Sequence, residues 1–312
     1  MKTYIIGHQK PDTDSVVSAL SLTYLYNQRD CFGYQNPTPV VADPINPETT
    51  YVLNKFKIDS PQLIKATDIA PEDKIVLVDH NEESQRLPGL NSDQIIDIID
   101  HHKPNLDLTK PIYLTFKTWG SSSTIVYYLM KTNDIKPDKN LASLMLCAII
   151  SDTVGFKSAT TTDKDKEVSQ ELAQIAGVKN INALTLEIFK AKSDVSTLSD
   201  IQIVTNDFKI YDFAKKVFVS QLETVEQDHL LTKKTNLLKA MQTVKTNKKV
   251  DLLFVAITDV LKENTKLLIL SDSERQIAKK AFGGQVDVNI LDIGPKMSRK
   301  KEIAPAIEKA LK

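Results

Sequence analysis

The chain has 312 residues, 41% hydrophobic and 26% charged, an ordinary globular mix long enough for about two domains with their own cores. Its formal net charge of zero argues against a general nucleic-acid binder, and the lack of any run of about 18 apolar residues argues against a transmembrane helix. Two cysteines, Cys31 and Cys147, are too few for a disulfide framework and wrongly spaced for zinc; with no signal-peptide pattern in "MKTYIIGHQKPD", a reducing cytoplasm is the expected home. The first 150 residues alternate short apolar runs with helical stretches. "TYIIG" (3–7) reads as a strand, 14–28 as a helix, "TPVVA" (38–42) as a strand and "PETTYVLNKF" (47–56) as a helix. "KIVLVD" (74–79) and "IIDIID" (95–100) read as strands, and 122–132, 139–151 and 163–176 as helices. Continuous apolar strands between helices predict a parallel sheet covered on both faces, with ligands at the carboxyl ends of the strands.

After about residue 190 the pattern changes. "FKAKSDVSTLSD" (189–200) is polar and reads as a linker. Beyond it "IQIVTNDFKIY" (201–211) and "KKVFVSQLE" (215–223) read as a strand hairpin, and 225–246 as one long helix. "VDLLFVAITD" (250–259), "TKLLILS" (265–271) and "VDVNIL" (286–291) read as strands, and 273–281 and the stretch from Lys300 to the end as helices. This is a second, smaller α/β domain. Charge divides along the same lines. Residues 1–200 carry 20 Lys+Arg and 26 Asp+Glu, a balance of −6; residues 201–312 carry 20 and 14, a balance of +6. An acidic half suits cations and a basic half suits anions.

Four segments run out of a strand or helix into Asp and His: "IIGHQKPDTDS", "VLVDHNE", "IIDHHKP" and "CAIISDTVGF". A single Asp at a strand end is more often a helix cap or turn former. Together the four segments hold four of the five histidines, all but His229, and a parallel sheet would bring the strand ends to one edge. Carboxylates with a few imidazoles and no thiolates suit Mn²⁺, or Mg²⁺ and Co²⁺, better than structural zinc. So many carboxylates in one cleft require more than one cation. Two divalent ions about 3.5–4 Å apart suit phosphoryl transfer to water. "GPKMSRKKE" (294–302) adds Lys296, Arg299, Lys300 and Lys301 at a predicted helix start, suited to phosphate oxygens. Cations oppose the dipole at that end of a helix, so a compensating anion is expected.

"GHQKPDTDS", "VDHNE", "DHHKP" and "SDT", with "SRKK" far downstream, closely resemble the family II, manganese-dependent inorganic pyrophosphatases of the DHH phosphoesterase superfamily. The resemblance spans essentially the whole chain. It implies an α/β fold of two domains: a DHH catalytic domain over 1–189, a hinge over 190–196, and a smaller C-terminal domain over 197–312, with the active site in the cleft between them. It also implies that His8 and Asp12 bind one metal, that Asp14, His101 and Asp152 bind the other, and that Asp79 bridges the two. His102, Lys209, Arg299 and Lys300 would face substrate, with His80, Asn81 and Asp100 as positioning residues around the ligands. Two Mn²⁺ per subunit are implied, replaceable by Co²⁺ or Mg²⁺, with further Mg²⁺ arriving with substrate. The implied reaction is hydrolysis of pyrophosphate to two orthophosphates by a hydroxide bridging the metals. A homodimer through the N-terminal domain is implied, with no nucleic-acid or membrane partner. Two enzyme alternatives share the metal motifs: an exopolyphosphatase, and a DHH phosphodiesterase acting on short oligonucleotides. The latter group usually carries a glycine-rich segment ending in His, where this chain has "AFGGQVDVN" (281–289). A non-catalytic metal or phosphate sensor would not need so complete a ligand set.

Overall fold

In the computed structural model, residues 1–28, 33–195 and 198–312 are described. Cys31 lies outside them, as does the end of the expected linker. The chain divides into two units, Met1–Ala191 and Lys192–Lys312.

The first unit is built on β1 (Thr3–Ile6), β2 (Pro37–Val41), β3 (Gln62–Leu63), β4 (Lys74–Val78), β5 (Ile95–Asp100) and β6 (Tyr113–Phe116). They form one sheet in the order β3-β2-β1-β4-β5-β6, and every pairing is parallel. Its helices are α1 (Thr13–Gln28), α2 (Pro47–Lys55), α3 (Ser122–Thr132), α4 (Lys139–Asp152), α5 (Asp163–Ala176) and α6 (Ile181–Lys192). The apolar runs are buried as a parallel sheet demands: Ile5, Ile75, Val76, Leu77 and Val78 are fully enclosed. In α4, every residue from Leu141 to Ser151 is buried, which is why that segment is apolar all round.

Three elements of this unit were not anticipated. β3 has only two residues, and β6 follows Pro111 and is largely exposed at the sheet edge. The third, α6, buries Leu184 and Ile188 one turn apart and runs on to Lys192. The expected polar linker therefore begins as helix.

The second unit has a mixed sheet in the order β11-β10-β9-β8-β7, from β7 (Phe208–Asp212), β8 (Lys216–Thr224), β9 (Leu252–Asp259), β10 (Asn264–Ile269) and β11 (Ile290–Asp292). Among the described residues, only β8 and β9 pair in parallel there. One face packs Ile203, Val204, Leu230, Leu237 and Met241 from α7 (Asp200–Val204), α8 (Gln227–Thr232) and α9 (Lys234–Lys248). The other packs Ala278, Ile303 and Ile307 from α10 (Asp272–Phe282) and the chain end, where a π-helical turn (Arg299–Ile303) leads into α11 (Ala304–Leu311).

Three expectations are corrected here. "IQIV" is helical, because Ser199 and Gln202 form a reciprocal capping box at its start. The single helix over 225–246 is two, separated at Lys233; Thr232 Oγ1 donates back to the His229 carbonyl at 2.6 Å, competing with the helix ladder. The strand over 286–291 shrinks to Ile290–Asp292, because Val288 and Asn289 adopt φ of 38° and 72°.

Candidate metal centre

The strand order of the first sheet reverses between β1 and β4, where the crevice of an open α/β sheet receives ligands. His8 follows β1, Asp79 follows β4 and His101 follows β5, so all three stand at carboxyl ends. Gly7 makes the first turn possible: a Cβ there would lie 1.8 Å from Ser15 Oγ. That hydroxyl instead accepts the His8 N–H at 3.1 Å. The Asp12 carboxylate accepts the Ser15 N–H at 2.9 Å, so it caps α1 while standing 3.7 Å from His8 Nε2. Asp79 adopts φ 62°, a left-handed conformation that Asp tolerates better than most residues.

Two helix ends complete the cluster. Asp14, buried, accepts from the backbone N–H groups of Ser122 (2.6 Å) and Ser123 (3.0 Å) and from Ser121 Oγ (2.8 Å). The positive end of α3 thus stabilises its charge. Ser122 Oγ donates to Asp79 Oδ1 at 2.9 Å. Asp152 is the last residue of α4, where the helix dipole already points negative charge at the cluster.

The ligand atoms of His8, Asp12 and Asp79 lie within 4.8 Å of one another, and so do those of Asp14, His101 and Asp152. Asp79 turns one oxygen to each group: Oδ2 is 3.6 Å from His8 Nε2, and Oδ1 is 3.3 Å from His101 Nε2. Both histidines give Nδ1–H to a backbone carbonyl, His8 to Gln9 (2.7 Å) and His101 to Trp119 (3.0 Å). A carbonyl only accepts, so Nδ1 keeps its proton and Nε2 is the nitrogen left to ligate a metal. Among the described residues, His101 Nε2 and Asp152 Oδ2 are buried with no hydrogen-bond partner, which is costly unless a cation lies between such groups.

The electrostatics agree. Burial and the nearby Asp14 and Asp79 push the Asp152 carboxyl up to about 9, and burial and Asp79 push Asp14 up to about 6. Burial works against charge on His8 and His101, yet the carboxylates close to each Nε2 push their pKa values up to about 11 and about 10. Burial also opposes ionisation of Asp79, but the two imidazoles hold it well below the usual carboxylate range. The cluster demands positive charge, and its oxygen and imidazole donors fit Mn²⁺ or a similar divalent ion.

Around the ligands, buried Asp100 accepts from His102 Nδ1 (2.9 Å), the His102 N–H (3.1 Å) and Asn81 Nδ2 (2.6 Å). The Asp100 hydrogen bond raises the His102 pKa, favouring a charged ring that is half exposed. A third grouping, Asp79, His101 and His102, also lies within 4.8 Å, so His102 is close enough to ligate as well as to face substrate. Asn81 clamps the following turn, accepting the Asn105 N–H at 2.6 Å and donating to the Lys103 carbonyl at 3.2 Å. His80 is buried, gives Nδ1–H to the Val78 carbonyl at 2.9 Å, and is pushed down to about 4 by burial, so its ring is neutral.

In the second unit, Lys209 lies exposed on β7 with Nζ 5.4 Å from the Tyr211 ring centre, and Lys300 is exposed. Arg299 is bound by Asp207 and Tyr211, and its N–H donates to Gln221 Oε1 at 2.7 Å. The compensating anion expected for this basic turn is supplied from within: Asp207 pairs Arg299, and Glu302 lies 3.8 Å from Lys296.

Sequence reasoning missed Ser121–Ser123, Gly120, Asp165, Asp207 and Tyr211. Asp165 is buried and accepts from Gly120 N–H (2.8 Å) and Thr124 Oγ1 (2.7 Å), bracing the loop that carries the serines. The run "GSSS" just before an amphipathic helix was the available signal for an N-terminus that grips an anion.

Parallel strands that end in a shared Asp/His cluster, followed by a mixed-sheet unit with a basic turn, define a DHH-type, metal-dependent protein. The DHH family N-terminal domain matches residues 2–149 and the DHHA2 domain matches 186–310. The chain belongs to the family of manganese-dependent inorganic pyrophosphatases. It is 41% identical to the one from Methanocaldococcus jannaschii, over 98% of each chain. It is 35% identical to that of Bacillus subtilis, over 99% of each. A crystal structure from Methanococcus jannaschii, named as a candidate family II inorganic pyrophosphatase, matches with TM-score 0.63 and 39% identity, over 99% of each chain. An exopolyphosphatase-related protein from Bacteroides fragilis shares the fold at TM-score 0.52 and 19% identity, over 99% of this chain and 91% of that one.

Proposed function

We propose that the protein hydrolyses inorganic pyrophosphate to two orthophosphates, with the Asp/His cluster as its metal centre. The observation that carries this reading is Asp79, whose two oxygens each face a separate histidine and carboxylate group. His8 and Asp12 would hold one ion, Asp14, His101 and Asp152 a second, and Asp79 both. Mn²⁺ is the resident metal of this reading, two per subunit, with Co²⁺ or Mg²⁺ able to substitute and further Mg²⁺ accompanying substrate. Bound there, a pair of divalent cations would acidify water near neutral pH and stabilise charge on the phosphate oxygens.

The chain's own residues do the rest. His102, whose pKa the Asp100 hydrogen bond raises, would offer a proton or a positive charge to a phosphate oxygen. Lys209, Arg299 and Lys300 bind the phosphates, with Arg299 giving a planar fork and the lysines point charges. The stretch within 190–196 is the proposed hinge between a catalytic domain (1–189) and a substrate domain (197–312). The edge strand β6, with Tyr113 74% and Leu114 50% exposed, is the face of the N-terminal unit best suited to pairing with a second copy as a homodimer. No helix among the described residues is long and apolar enough to cross a membrane, and the proposed setting is the cytoplasm, with no membrane or nucleic-acid partner.

Phosphate release from pyrophosphate, a short polyphosphate and a dinucleotide, assayed side by side with Mn²⁺, tests the reading. Preference for pyrophosphate supports it. Faster turnover of polyphosphate or the dinucleotide would replace it with one of the two alternatives.

A further inference from the structure

Two side chains of the second unit converge on one guanidinium. Asp207 Oδ1 accepts from Arg299 Nη2 at 3.0 Å, and its Oδ2 lies 3.4 Å from Nε. Tyr211 Oη accepts from Nη1 at 2.9 Å. Lys209 lies between them in sequence, its Nζ 5.4 Å from the Tyr211 ring centre. The Arg299 side chain is only 13% exposed, while that of Asp207 is 64% exposed. The carboxylate therefore lies over the Nε–Nη2 edge of a recessed guanidinium. That edge is the fork by which Arg takes two oxygens of one phosphate. Tyr211 holds the opposite side of the same group, where it leaves the fork open.

We propose that Asp207 is an intramolecular competitor for the phosphate site, yielding the Arg299 fork to pyrophosphate and retaking it as orthophosphate leaves. The inference rests on the reading of Arg299 as a phosphate-binding residue. Displacing the carboxylate costs the same for substrate and product, so Asp207 weakens both equally. Such a uniform effect raises KM and eases product release without acting on the chemical step. Tyr211 acts the other way, as a positioning residue that keeps the guanidinium aimed. Because the carboxylate is mostly in water, the pair is a weak one, and its competition amounts to about two- to fivefold.

The test is steady-state kinetics on the full chain with Mn²⁺ and Mg²⁺. In Asp207→Asn, KM for pyrophosphate falls about two- to fivefold and inhibition by orthophosphate tightens by the same factor, the change being carried by KM rather than kcat. Asp207→Glu stays near the parent, and Tyr211→Phe raises KM. In an Arg299→Ala background, Asp207→Asn has no further effect, because the group it competes for is gone. A raised KM or weaker orthophosphate inhibition in Asp207→Asn, with an unchanged unfolding midpoint, overturns the proposal and makes Asp207 a support for Arg299. If instead Arg299→Ala itself keeps parental kinetics, it is the underlying reading of Arg299 that fails.

Discussion

One carboxylate facing two ions is the most exposed point of the metal centre. Asp79 is buried, adopts a left-handed backbone conformation and has an imidazole against each oxygen. Asp79→Ala removes a ligand from both groups at once. The expected outcome is loss of pyrophosphatase activity by more than about 100-fold, beyond the loss typical for groups that merely orient a ligand, with less than the parental Mn²⁺ content. Metal analysis of protein purified without chelator, alongside the activity assay, checks it; parental metal content would deny Asp79 the bridging role. Arg299→Ala is the counterpart: activity falls while Mn²⁺ content stays parental, since Arg299 lies in the other unit.

At the scale of elements, the site is made of ends. Three strands stop at their carboxyl termini, α3 begins on Asp14, and α4 finishes on Asp152. The loop before α3 ties these ends together through Gly120. A Cβ at that position would lie 2.8 Å from Thr153 Cγ2 and 2.9 Å from Asp165 Oδ2. Thr153 adjoins Asp152, and Asp165 accepts the Gly120 N–H. Gly120→Ala therefore pushes the serine loop away from α4, at a cost of about 1–3 kcal/mol in stability. Weaker Mn²⁺ binding accompanies the loss, because Ser121–Ser123 no longer hold Asp14. Urea unfolding and a Mn²⁺ titration of the same variant measure both; unchanged metal affinity would show that the loop does not set the ligand geometry.

On the scale of the whole molecule, the two units have separate cores and separate stability levers. Divalent ions that bind only folded chain stabilise the first unit by about 2.7 kcal/mol at 100 times Kd. A thermal unfolding transition that moves upward with Mn²⁺ and back with chelator is the expected result. The second unit depends on buried Glu274, which accepts from Lys245 Nζ at 2.5 Å, from the Leu253 N–H at 3.2 Å and from Ser271. Burial opposes its ionisation, but the Lys245 and Ser271 hydrogen bonds hold its pKa below the ordinary value of 4.5. A depressed carboxylate stabilises the fold above the unfolded pKa and loses that contribution as pH falls through the folded one. Glu274→Gln should thus destabilise the second unit by about 2–4 kcal/mol at pH 7, with the deficit shrinking on acidification below 4.5. Denaturant unfolding at pH 7 and at acid pH decides; a pH-independent difference would assign the loss to packing.

The amino-acid order by itself determined the parallel sheet, the boundaries of α3, α4 and α5 within a residue or two, and the family, because apolar periodicity and the Asp/His runs at strand ends are local signals. It misread "IQIV" as strand, since four residues of apolar alternation look alike in both states until the Ser199–Gln202 capping box is seen. It passed over β6 and α6, where burial is partial and the pattern correspondingly faint. The distances that make the cluster a site came only from tertiary structure. Which oxygen of Asp79 meets which imidazole, that a helix start grips Asp14, and that Asp207 covers Arg299 depend on residues up to 109 positions apart. No local preference encodes such contacts; the packing of strands and helices into one sheet edge creates them.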